Sequence, residues 1–343
     1  MSDEKRTEVG ELGEFGLIDH LTKEIKFYNE KTVKGVGDDA AVMDLGDEYL
    51  VTTTDMLVEG IHFDLSYIPL KHLGYKAIAV NVSDIAAMNA TPQQVTVSLA
   101  LSNRFSVEAL EVLYEGIKQA CEDYRVDFVG GDTTASRSGI VISVTALGTV
   151  AKDKITYRSG ANENDILCVT GDLGGAYIGL QILEREKQEF LGNPNMQPKL
   201  DNYPYVVGRQ LKPVARMNII HEFADLGIVP TSMMDVSDGL ASELFHLCKH
   251  SGLGAAVYED KLPIDKETYE TAAEFSIDPN TCALNGGEDY ELLFTLKQED
   301  FEKIKNHSDI HTIGYMHSAD KGRVMVTRGG NTVALQAQGW KHF

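Results

Sequence analysis

Short apolar runs in this chain repeatedly end in an aspartate that stands next to glycine, serine or threonine. Tyr49 to Thr54 is rich in β-branched residues and leads to Asp55, and Val126 to Val129 leads through two glycines to Asp132. Runs of this kind predict β-strands, and the segments that follow strands are where folds of strands and helices build their sites. The sequence therefore predicts such a fold, with several carboxylates gathered at the strand ends.

A further aspartate lies on a predicted helix. Residues 70–88 repeat apolar side chains at the spacing of an amphipathic helix, and Asp84 falls on the apolar face. An unpaired ionised carboxylate there would cost several kcal/mol or more to bury. Asp84 is therefore expected to be neutral, paired or bound to a cation, and an arginine partner or a helix cap is an equally good explanation for this residue alone.

Two adjacent carboxylates, Asp38 and Asp39, follow Gly35 and Gly37. Like charges side by side are tolerated best where a cation joins them, although short clusters of glycine and aspartate are also typical of surface turns. Asp235 and Asp238 stand three apart at a strand-to-helix junction, where helix capping would also account for them. Each motif alone therefore has a purely structural explanation.

The acids are more informative together than singly. Those at strand ends or on the helix stripe are Asp39, Asp55, Asp84, Asp132 and Asp235. Carboxylates beside hydroxyl groups suit Mg²⁺, and several on one site could hold ions that clamp a polyphosphate. This pattern predicts metal-dependent phosphoryl chemistry without separating a kinase from a phosphatase. No protein nucleophile is required, because positioning and charge neutralisation supply most of the catalysis in phosphoryl transfer.

A glycine-rich turn from Gly171 to Gly175 lies between a predicted strand and a predicted helix. Such a turn can hold a phosphate on backbone N–H groups. It matches neither GxGxxG nor the P-loop pattern, so a purely structural turn stays open.

The amino-acid composition restricts the kinds of molecule that this protein is expected to bind. The formal charge of −21 opposes binding to nucleic acid and to anionic membranes, so we expect neither partner. A phosphate substrate would then need metal ions between itself and the acids. The four cysteines are scattered and include no CxxC pair, which disfavours a zinc or redox motif and fits a reducing cytosol. Without an apolar signal core or a run of about 18 apolar residues, a cytoplasmic location is expected.

The order of predicted elements indicates two domains in the 343 residues. Residues 1–150 read as strand, helix, strand, helix, strand, strand, which predicts an α+β domain with helices on one face of a mixed sheet. Residues 151–343 are predicted to form a second α/β domain. Residues 15–28 are predicted to be a helix, and residues 190–205, with three prolines, to be a loop.

Six motifs in order resemble those of the thiamine-monophosphate kinase family, and the resemblance runs from about residue 13 to the end. They are GVGDD at 35–39, TTDMLVEGIHF at 53–63, AVNVSDIAAM at 79–88, GGDTT at 130–134, DVSDGL at 235–240 and GEDYEL at 287–292. The resemblance implies a two-domain fold like that of aminoimidazole ribonucleotide synthetase. Its N-terminal domain, residues 1–150, would bind ATP and Mg²⁺ and pair with a second copy, forming a barrel at a homodimer interface. Its C-terminal α/β domain would complete the site.

The resemblance also implies an activity and its residues. The reaction would transfer the γ-phosphoryl group of ATP directly to thiamine monophosphate, as the last step of thiamine diphosphate synthesis. Mg²⁺ would be held by Asp39, Thr53, Thr54, Asp55, Asp84, Asp132, Asp235 and Asp238. Gly131, Asp132, Arg158, Ser237 and Tyr114 would contact the nucleotide, and His62, Glu288 and Trp340 the substrate. Asp55, Asp132 and Arg158 are implied as catalytic residues.

Other activities stay open. Selenophosphate synthetases of the same superfamily carry a reactive cysteine or selenocysteine near the N-terminus, whereas no cysteine here precedes Cys121. The hydrogenase-maturation relative ends in a functional cysteine, and this chain ends in WKHF. A metal-dependent phosphatase and a non-catalytic acidic metal-binding protein are the alternatives from other functional classes.

Overall fold

The structure, a computed structural model, describes residues 8–195 and 197–337. Its first sheet has six strands in the spatial order β1-β2-β3-β6-β4-β5. Their bounds are β1 (Thr32–Lys34), β2 (Ala41–Asp44), β3 (Glu48–Val58), β4 (Thr91–Leu101), β5 (Asp127–Ala135) and β6 (Ile140–Ala151). Strands β4 and β5 pair in parallel and the other neighbours pair antiparallel. The sheet is therefore mixed, as predicted.

Two helices, α2 (Leu70–Ala87) and α3 (Val107–Tyr124), follow strands of this sheet in the chain. Every second residue of β6 is buried, from Ile140 to Val150, while the residues between them are half-buried. Ile85 of α2 lies directly against Gly148 on the buried side. Helix α2 therefore covers one face of the sheet, in agreement with the prediction.

Helices α2 and α3 approach each other at two glycines. A Cβ atom on Gly74 would stand 2.0 Å from the Leu113 carbonyl oxygen, and one on Gly116 would stand 1.9 Å from that of Lys71. Because no larger residue fits at either position, the two backbones are in direct contact, and this contact fixes how far α2 lies from α3.

The second sheet has seven strands in the order β13-β12-β9-β11-β7-β10-β8. Their bounds are β7 (Ile166–Thr170), β8 (Ser232–Asp235), β9 (Leu253–Tyr258), β10 (Leu292–Leu296), β11 (Ile310–Ser318), β12 (Arg323–Val326) and β13 (Thr332–Ala334). Strands β7 and β10 and the edge strand β8 are almost wholly buried. Such burial on both faces explains why they read as continuous apolar runs.

The remaining helices belong mostly to the second half of the chain. They are α1 (Val9–Thr22), α4 (Gly175–Gly192), α5 (Pro204–Leu211), α6 (Met217–Leu226), α7 (Leu240–Ser251), α8 (Lys266–Glu274), α9 (Pro279–Asn285) and α10 (Gln298–Ile304). Helix α9 went unpredicted, although Asp278 accepts a hydrogen bond from the Asn280 N–H and Pro279 occupies the first turn. An Asp-Pro pair of this kind is a recognised helix start.

Some predicted segments differ from the structure. The strands expected to end before Asp55 and Asp132 are longer, because β3 continues to Val58 and β5 to Ala135, so both aspartates lie within strands. Helix α1 begins at Val9 and ends at Thr22, so the prediction of helix from 15 to 28 is wrong at both ends. Glu8 and Glu11 form a capping box that starts the helix early, and the Ile25 N–H turns back to the Thr22 carbonyl after its end. The predicted loop at 190–205 is shorter, because α4 continues to Gly192 and α5 begins at Pro204.

Among the helices of the described residues, none is long and apolar enough to cross a membrane. The division of the chain after residue 150 stays a prediction, as does the barrel at a dimer interface.

Candidate active site

The C-terminal half of α2 places two polar side chains against one strand from each sheet. The Thr53 hydroxyl of β3 donates to Asp84 Oδ2 at 2.6 Å, and the Ser83 hydroxyl donates to Asp235 Oδ2 at 2.6 Å. Asp235 is the last residue of β8 in the second sheet. Neighbouring residues of one helix therefore connect carboxylates and hydroxyls from both sheets.

Asp55 is tied to the same helix through its backbone. Its N–H donates to the Asn81 side-chain oxygen at 3.1 Å, and the Asn81 amide donates to the Ala77 carbonyl at 3.0 Å. Asn81 is itself buried. Because both ends of the Asn81 amide are held, it fixes the Asp55 backbone, which lies within β3, against α2.

Three carboxylates converge where these elements meet. One oxygen each from Asp39, Asp84 and Asp235 lies within 4.8 Å of the others. Asp39 and Asp235 are buried and Asp84 is half-buried. This cluster contains three of the predicted metal ligands and lies between the two sheets.

The cluster favours protonation when no cation is present. Burial raises the pKa of Asp235 to about 7, and the charge of Asp39 adds to the effect. Burial and the charges of Asp55, Asp235 and Asp39 raise the pKa of Asp84 well above its usual range. Burial also raises the pKa of Asp55 to about 6. Crowded carboxylates with raised pKa values are typical of functional sites.

Arg158 brings a guanidinium group to this cluster. Its Nε and Nη2 atoms donate to Asp39 Oδ1 at 3.2 and 2.7 Å. Burial raises the pKa of Asp39, and Arg158 acts in the opposite direction. The other oxygen, Asp39 Oδ2, is buried and finds no hydrogen-bond donor among residues 8–195 and 197–337. Asp39 therefore presents one oxygen to Arg158 and keeps the other for a different ligand.

Asp38, which the sequence left without a role, supports this arrangement. Its Oδ1 accepts the backbone N–H of Arg158 at 3.0 Å, and its Oδ2 lies 3.3 Å from Lys34 Nζ. Asp38 therefore holds the segment that carries Arg158 against the turn that carries Asp39.

The donor set fits a hard divalent cation. Asp39, Asp84 and Asp235 offer carboxylate oxygens with the Thr53 hydroxyl beside them, and the buried Asp39 Oδ2 lacks a donor. Mg²⁺ and similar ions take oxygen ligands, and a cation would offset the repulsion among three neighbouring acids.

Ser237 and Asp238 lie in the turn between β8 and α7. The Asp238 N–H donates to Glu243 Oε1 at 2.9 Å. Glu243 is buried, and burial together with the charge of Asp238 raises its pKa well above the usual range. The turn is therefore anchored by an acid from the first turns of α7, which leaves Ser237 and Asp238 next to Asp235.

Glu288 lies beside the same turn. Its N–H donates to the Ser237 carbonyl at 2.7 Å. Its side chain reaches Lys76 of α2 and Gln210 of α5. The structure therefore places Glu288 next to the predicted nucleotide-binding residue Ser237 but on the side that faces α5.

His62 follows the end of β3. Its Nδ1 accepts the Val58 N–H at 3.0 Å. An imidazole that accepts at Nδ1 carries its proton on Nε2. His62 is thus arranged to donate a hydrogen bond from its other ring nitrogen.

Gly131 and Asp132 lie apart from the carboxylate cluster within one chain. Asp55, Val144, Val97 and Gly131 are direct neighbours across β3, β6, β4 and β5. Three strand spacings separate Gly131 from Asp55 by about 14 Å. Asp132, one residue further along, faces the side of the sheet opposite α2 and is exposed.

Tyr114 and Thr54 also lie away from the cluster. Tyr114 is on α3, with its ring edge-on to Phe128 of β5 at a centroid distance of 6.1 Å. Thr54 lies beside Thr145 on β6 and donates to the Val144 carbonyl at 2.9 Å. The predicted ligands therefore do not all meet within one chain. One group lies around α2 and one around β5, and Thr54 belongs to neither. Trp340 lies outside the described residues.

The glycine-rich turn at Gly171 to Gly175 is occupied by a carboxylate of the protein. Buried Asp289 accepts the Gly174 N–H at 2.8 Å and the Ala176 N–H at 3.4 Å. Burial raises the pKa of Asp289 to about 7 against the opposing charge of Arg209. The backbone N–H groups that could hold a phosphate are thus engaged internally, which favours the structural explanation of this turn.

The sequence did not predict the buried residues that hydrogen-bond to the site residues and hold them in place. These are Lys76, Asn81, Ser83, Gln210 and Glu243, all buried. A signal was available for three of them, because Lys76, Asn81 and Ser83 are polar residues within a helix that is otherwise buried nearly all round. Their partners could not be inferred, since those partners lie far away in the chain.

Comparisons with known proteins agree with this architecture. Residues 37–150 match the family described as AIR synthase related protein, N-terminal domain, and residues 162–327 match the corresponding C-terminal domain. The thiamine-monophosphate kinase of Aquifex aeolicus (strain VF5) is 34% identical over 336 residues, which cover 97% of this chain and 99% of that protein. The thiamine-monophosphate kinase of Bacillus subtilis (strain 168) is 34% identical over 346 residues, with 97% of this chain and 100% of that protein covered.

A solved structure extends the likeness to three dimensions. AaThiL complexed with AMPPCP and TMP superposes with a TM-score of 0.83 at 33% identity, covering 99% of this chain and 100% of that one. The fold is thus the two-domain fold of the AIR synthase related proteins. The chain belongs to the thiamine-monophosphate kinase family.

Proposed function

We propose that this protein transfers the γ-phosphoryl group of ATP to the phosphate of thiamine monophosphate, which yields ADP and thiamine diphosphate. The observation that carries the proposal is the cluster of Asp39, Asp84 and Asp235, whose oxygens lie within 4.8 Å of one another. Support comes from a relative 33% identical that binds AMPPCP, an analogue of ATP, together with TMP. This reaction would be the last step in making thiamine diphosphate.

Mg²⁺ is the proposed metal. Asp39, Asp84 and Asp235 would hold it, with Thr53 beside them, because all of these groups offer oxygen. Bound Mg²⁺ would neutralise charge on the polyphosphate. The charge of Asp55 acts on both Asp84 and Asp235, and Asp238 follows Asp235 by three residues in the turn after β8, so we propose both as further ligands.

Arg158 and His62 would handle the charge of the phosphates. Arg158 binds Asp39 side-on and lies next to the proposed metal ligands. A guanidinium there can stabilise the negative charge of the phosphoryl group during its transfer. His62 can donate from Nε2 to a substrate phosphate, because its Nδ1 already accepts. Direct transfer between two phosphates then needs only positioning and charge neutralisation.

The two groups of predicted ligands point to a homodimer. Asp132, Gly131 and Tyr114 belong to the region around β5, an edge strand whose residues are almost all exposed. Exposed edges invite pairing with another chain. We infer that β5 faces a second copy, and that the Asp132 of one subunit completes the metal and nucleotide site formed around α2 of the other. Pairing of this kind would also form the predicted barrel.

Two further expectations belong to the proposal. Each of the four cysteines is a free thiol, which supports a cytoplasmic location. The first sheet ends at Ala151 and the second begins at Ile166, which supports a domain division after residue 150.

A metal-dependent phosphatase is the rival, because the same acids could direct water at a phosphate. The deciding experiment incubates the protein with ATP, Mg²⁺ and thiamine monophosphate and separates the products by chromatography. We expect thiamine diphosphate and ADP in equal amounts, and neither when EDTA removes the metal. Release of inorganic phosphate without thiamine diphosphate would refute the proposal and favour the phosphatase.

A further inference from the structure

Lys76 is a lysine in the middle of α2 with only 1% of its surface exposed. Its Nζ donates to Glu288 Oε1 at 2.9 Å and to the Gln210 carbonyl at 3.5 Å. Burying an ammonium group is costly unless it is paired and hydrogen-bonded. A leucine would pack at this position without that cost, so the lysine calls for an explanation beyond packing.

Glu288 is held from three directions. Lys76 engages Oε1, the Gln210 side-chain amide donates to Oε2, and the backbone N–H donates to Ser237 at 2.7 Å. Its backbone has φ of +57°, in the left-handed region that residues other than glycine seldom adopt. Strain of this kind concentrates at functional positions, where the surroundings enforce it.

Each oxygen of the Glu288 carboxylate can accept one more hydrogen bond. A carboxylate has about four acceptor positions, and Lys76 and Gln210 account for one on each oxygen. The Glu288 side chain is 28% exposed whereas that of Lys76 is 1% exposed. The supported edge therefore faces inward, and the remaining acceptor positions belong to the exposed part of the side chain.

We propose that Lys76 is a positioning residue that holds Glu288 in one orientation, as an acceptor for the exocyclic amino group of the substrate's pyrimidine ring. This inference rests on the proposed function. Lys76 itself contacts no substrate; with Gln210 it sets the direction of the remaining acceptor positions of Glu288.

The arrangement selects a class of substrate. A heteroaromatic ring with an amino group would place its N–H donor against the remaining acceptor positions of Glu288. A ring with a carbonyl oxygen in place of the amino group would set acceptor against acceptor. Sites built to hydrogen-bond a donor reject analogues that lack it far more strongly than apolar pockets reject a change of size.

The test compares Lys76→Met with Lys71→Met, a control at an exposed lysine of the same helix. Each variant is assayed with ATP, with thiamine monophosphate, and with the analogue that carries oxygen in place of the pyrimidine amino group. In Lys76→Met we expect the KM for thiamine monophosphate to rise at least about tenfold, while the KM for ATP changes less than about twofold. The preference for the amino substrate should fall at least about tenfold, and Lys71→Met should match the wild type.

If Lys76 only stabilised the fold, its replacement would affect the two KM values and the substrate preference differently. An equal rise in both KM values, or an unchanged preference between amino and oxo substrates, would overturn the assignment. If Lys76→Met does not fold, Gln210→Leu removes the other support of Glu288 and should reduce the preference in the same direction. Wild-type protein that makes no thiamine diphosphate would refute the proposed function itself. An active wild type together with a Lys76→Met variant that keeps its preference for the amino substrate would refute only the role of Lys76.

Discussion

At the scale of single residues, the main feature of the molecule is a cluster of carboxylates whose negative charges are only partly neutralised by neighbouring groups. Asp39, Asp84 and Asp235 share one small volume, and only part of their charge is offset, by Arg158 and two hydroxyls. Replacing one partner of such a set is costly, but a cation can bind all three at once. The repulsion among these carboxylates lowers the stability of the folded protein, and the same carboxylates provide the ligands for a cation.

The first prediction concerns pH and the metal-free protein. Burial raises the pKa of Asp235 from its usual 3.8 to about 7 in the folded state. Between these values the folded state holds a proton that the unfolded state has released, so stability falls as pH rises. Urea unfolding in EDTA between about pH 5 and pH 8 should show a loss of up to about 1.4 kcal/mol per pH unit from this carboxyl.

Asp235→Asn is the control for this prediction. An amide does not titrate, so the variant's stability should depend less steeply on pH over the same range. Mg²⁺ should stabilise the wild type most at the upper end of the range, because its ligands must be deprotonated. Parallel stability curves for wild type and variant would contradict the role of Asp235.

At the scale of elements, helix α2 organises the site. It carries Lys76, Asn81, Ser83 and Asp84, which contact Glu288, the Asp55 backbone, Asp235 and Thr53. These partners come from β3, from β8 and from the loop before β10. A shift of α2 along or away from the sheet would therefore disturb all four contacts together.

The second prediction uses the glycine contact that positions α2. In Gly74→Ala, the new Cβ would stand 2.0 Å from the Leu113 carbonyl oxygen, so α2 must move away from α3. We expect the free energy of unfolding to fall by about 1–3 kcal/mol or more. Stabilisation by Mg²⁺ should weaken as well, because Asp84 moves with the helix. Chemical denaturation with and without Mg²⁺ measures both effects.

Gly208→Ala is the matched control, since Gly208 lies inside α5 with open space around its Cβ position. Alanine favours the helix by up to about 1 kcal/mol over glycine, so this variant should be unchanged or slightly more stable. Equal stability of Gly74→Ala and Gly208→Ala would show that the α2–α3 contact tolerates a larger separation.

At the scale of the whole molecule, the predicted site is divided. Asp55 belongs to the group around α2, whereas Asp132 lies three strands away and faces the other side of the sheet. A single chain cannot join the two groups without rearranging the sheet, whereas the proposed second copy at the β5 edge would join them.

The third prediction tests this division by complementation. Asp55→Asn and Asp132→Asn should each reduce turnover at least about 100-fold as pure homodimers. Co-expressed in equal amounts, they should recover roughly a quarter of wild-type activity, because half of the random dimers are mixed and each mixed dimer keeps one intact site. Mixed dimers isolated with two affinity tags should show roughly half of wild-type activity, because each keeps one of its two sites.

The alternative outcome is equally clear. If Asp55 and Asp132 of the same subunit form one site, every site in a mixed dimer contains a substituted residue, and activity stays at the level of the single variants. That result would contradict a site shared between subunits.

Much of the fold was predictable, because it rests on local patterns. The helix at residues 70–88 and the strand β6 follow from local patterns. The alternation of β6 is preserved in its burial, whereas α2 is buried on nearly all sides rather than along one stripe. The strands that carry Asp55, Asp132 and Asp235 were predicted from β-branched runs and glycines. The prediction that strands end before Asp55 and Asp132 is wrong, because β3 continues to Val58 and β5 to Ala135. The end of α1 was wrong, because the helix buries none of its residues and its end depends on capping and turns rather than on an apolar stripe.

The sequence by itself determined which residue types carry the chemistry: acids on or next to strands, an acid on a buried helix, and an arginine between the two halves of the chain. Only the tertiary structure decided which of them meet. It joined Asp39 to Asp84 and Asp235, placed Lys76 behind Glu288, and set Asp132 apart from Asp55. The physical reason is that propensity and periodicity act between near neighbours in the chain. Contacts across 150 or 200 residues are instead selected by sheet order, register and the packing of α2.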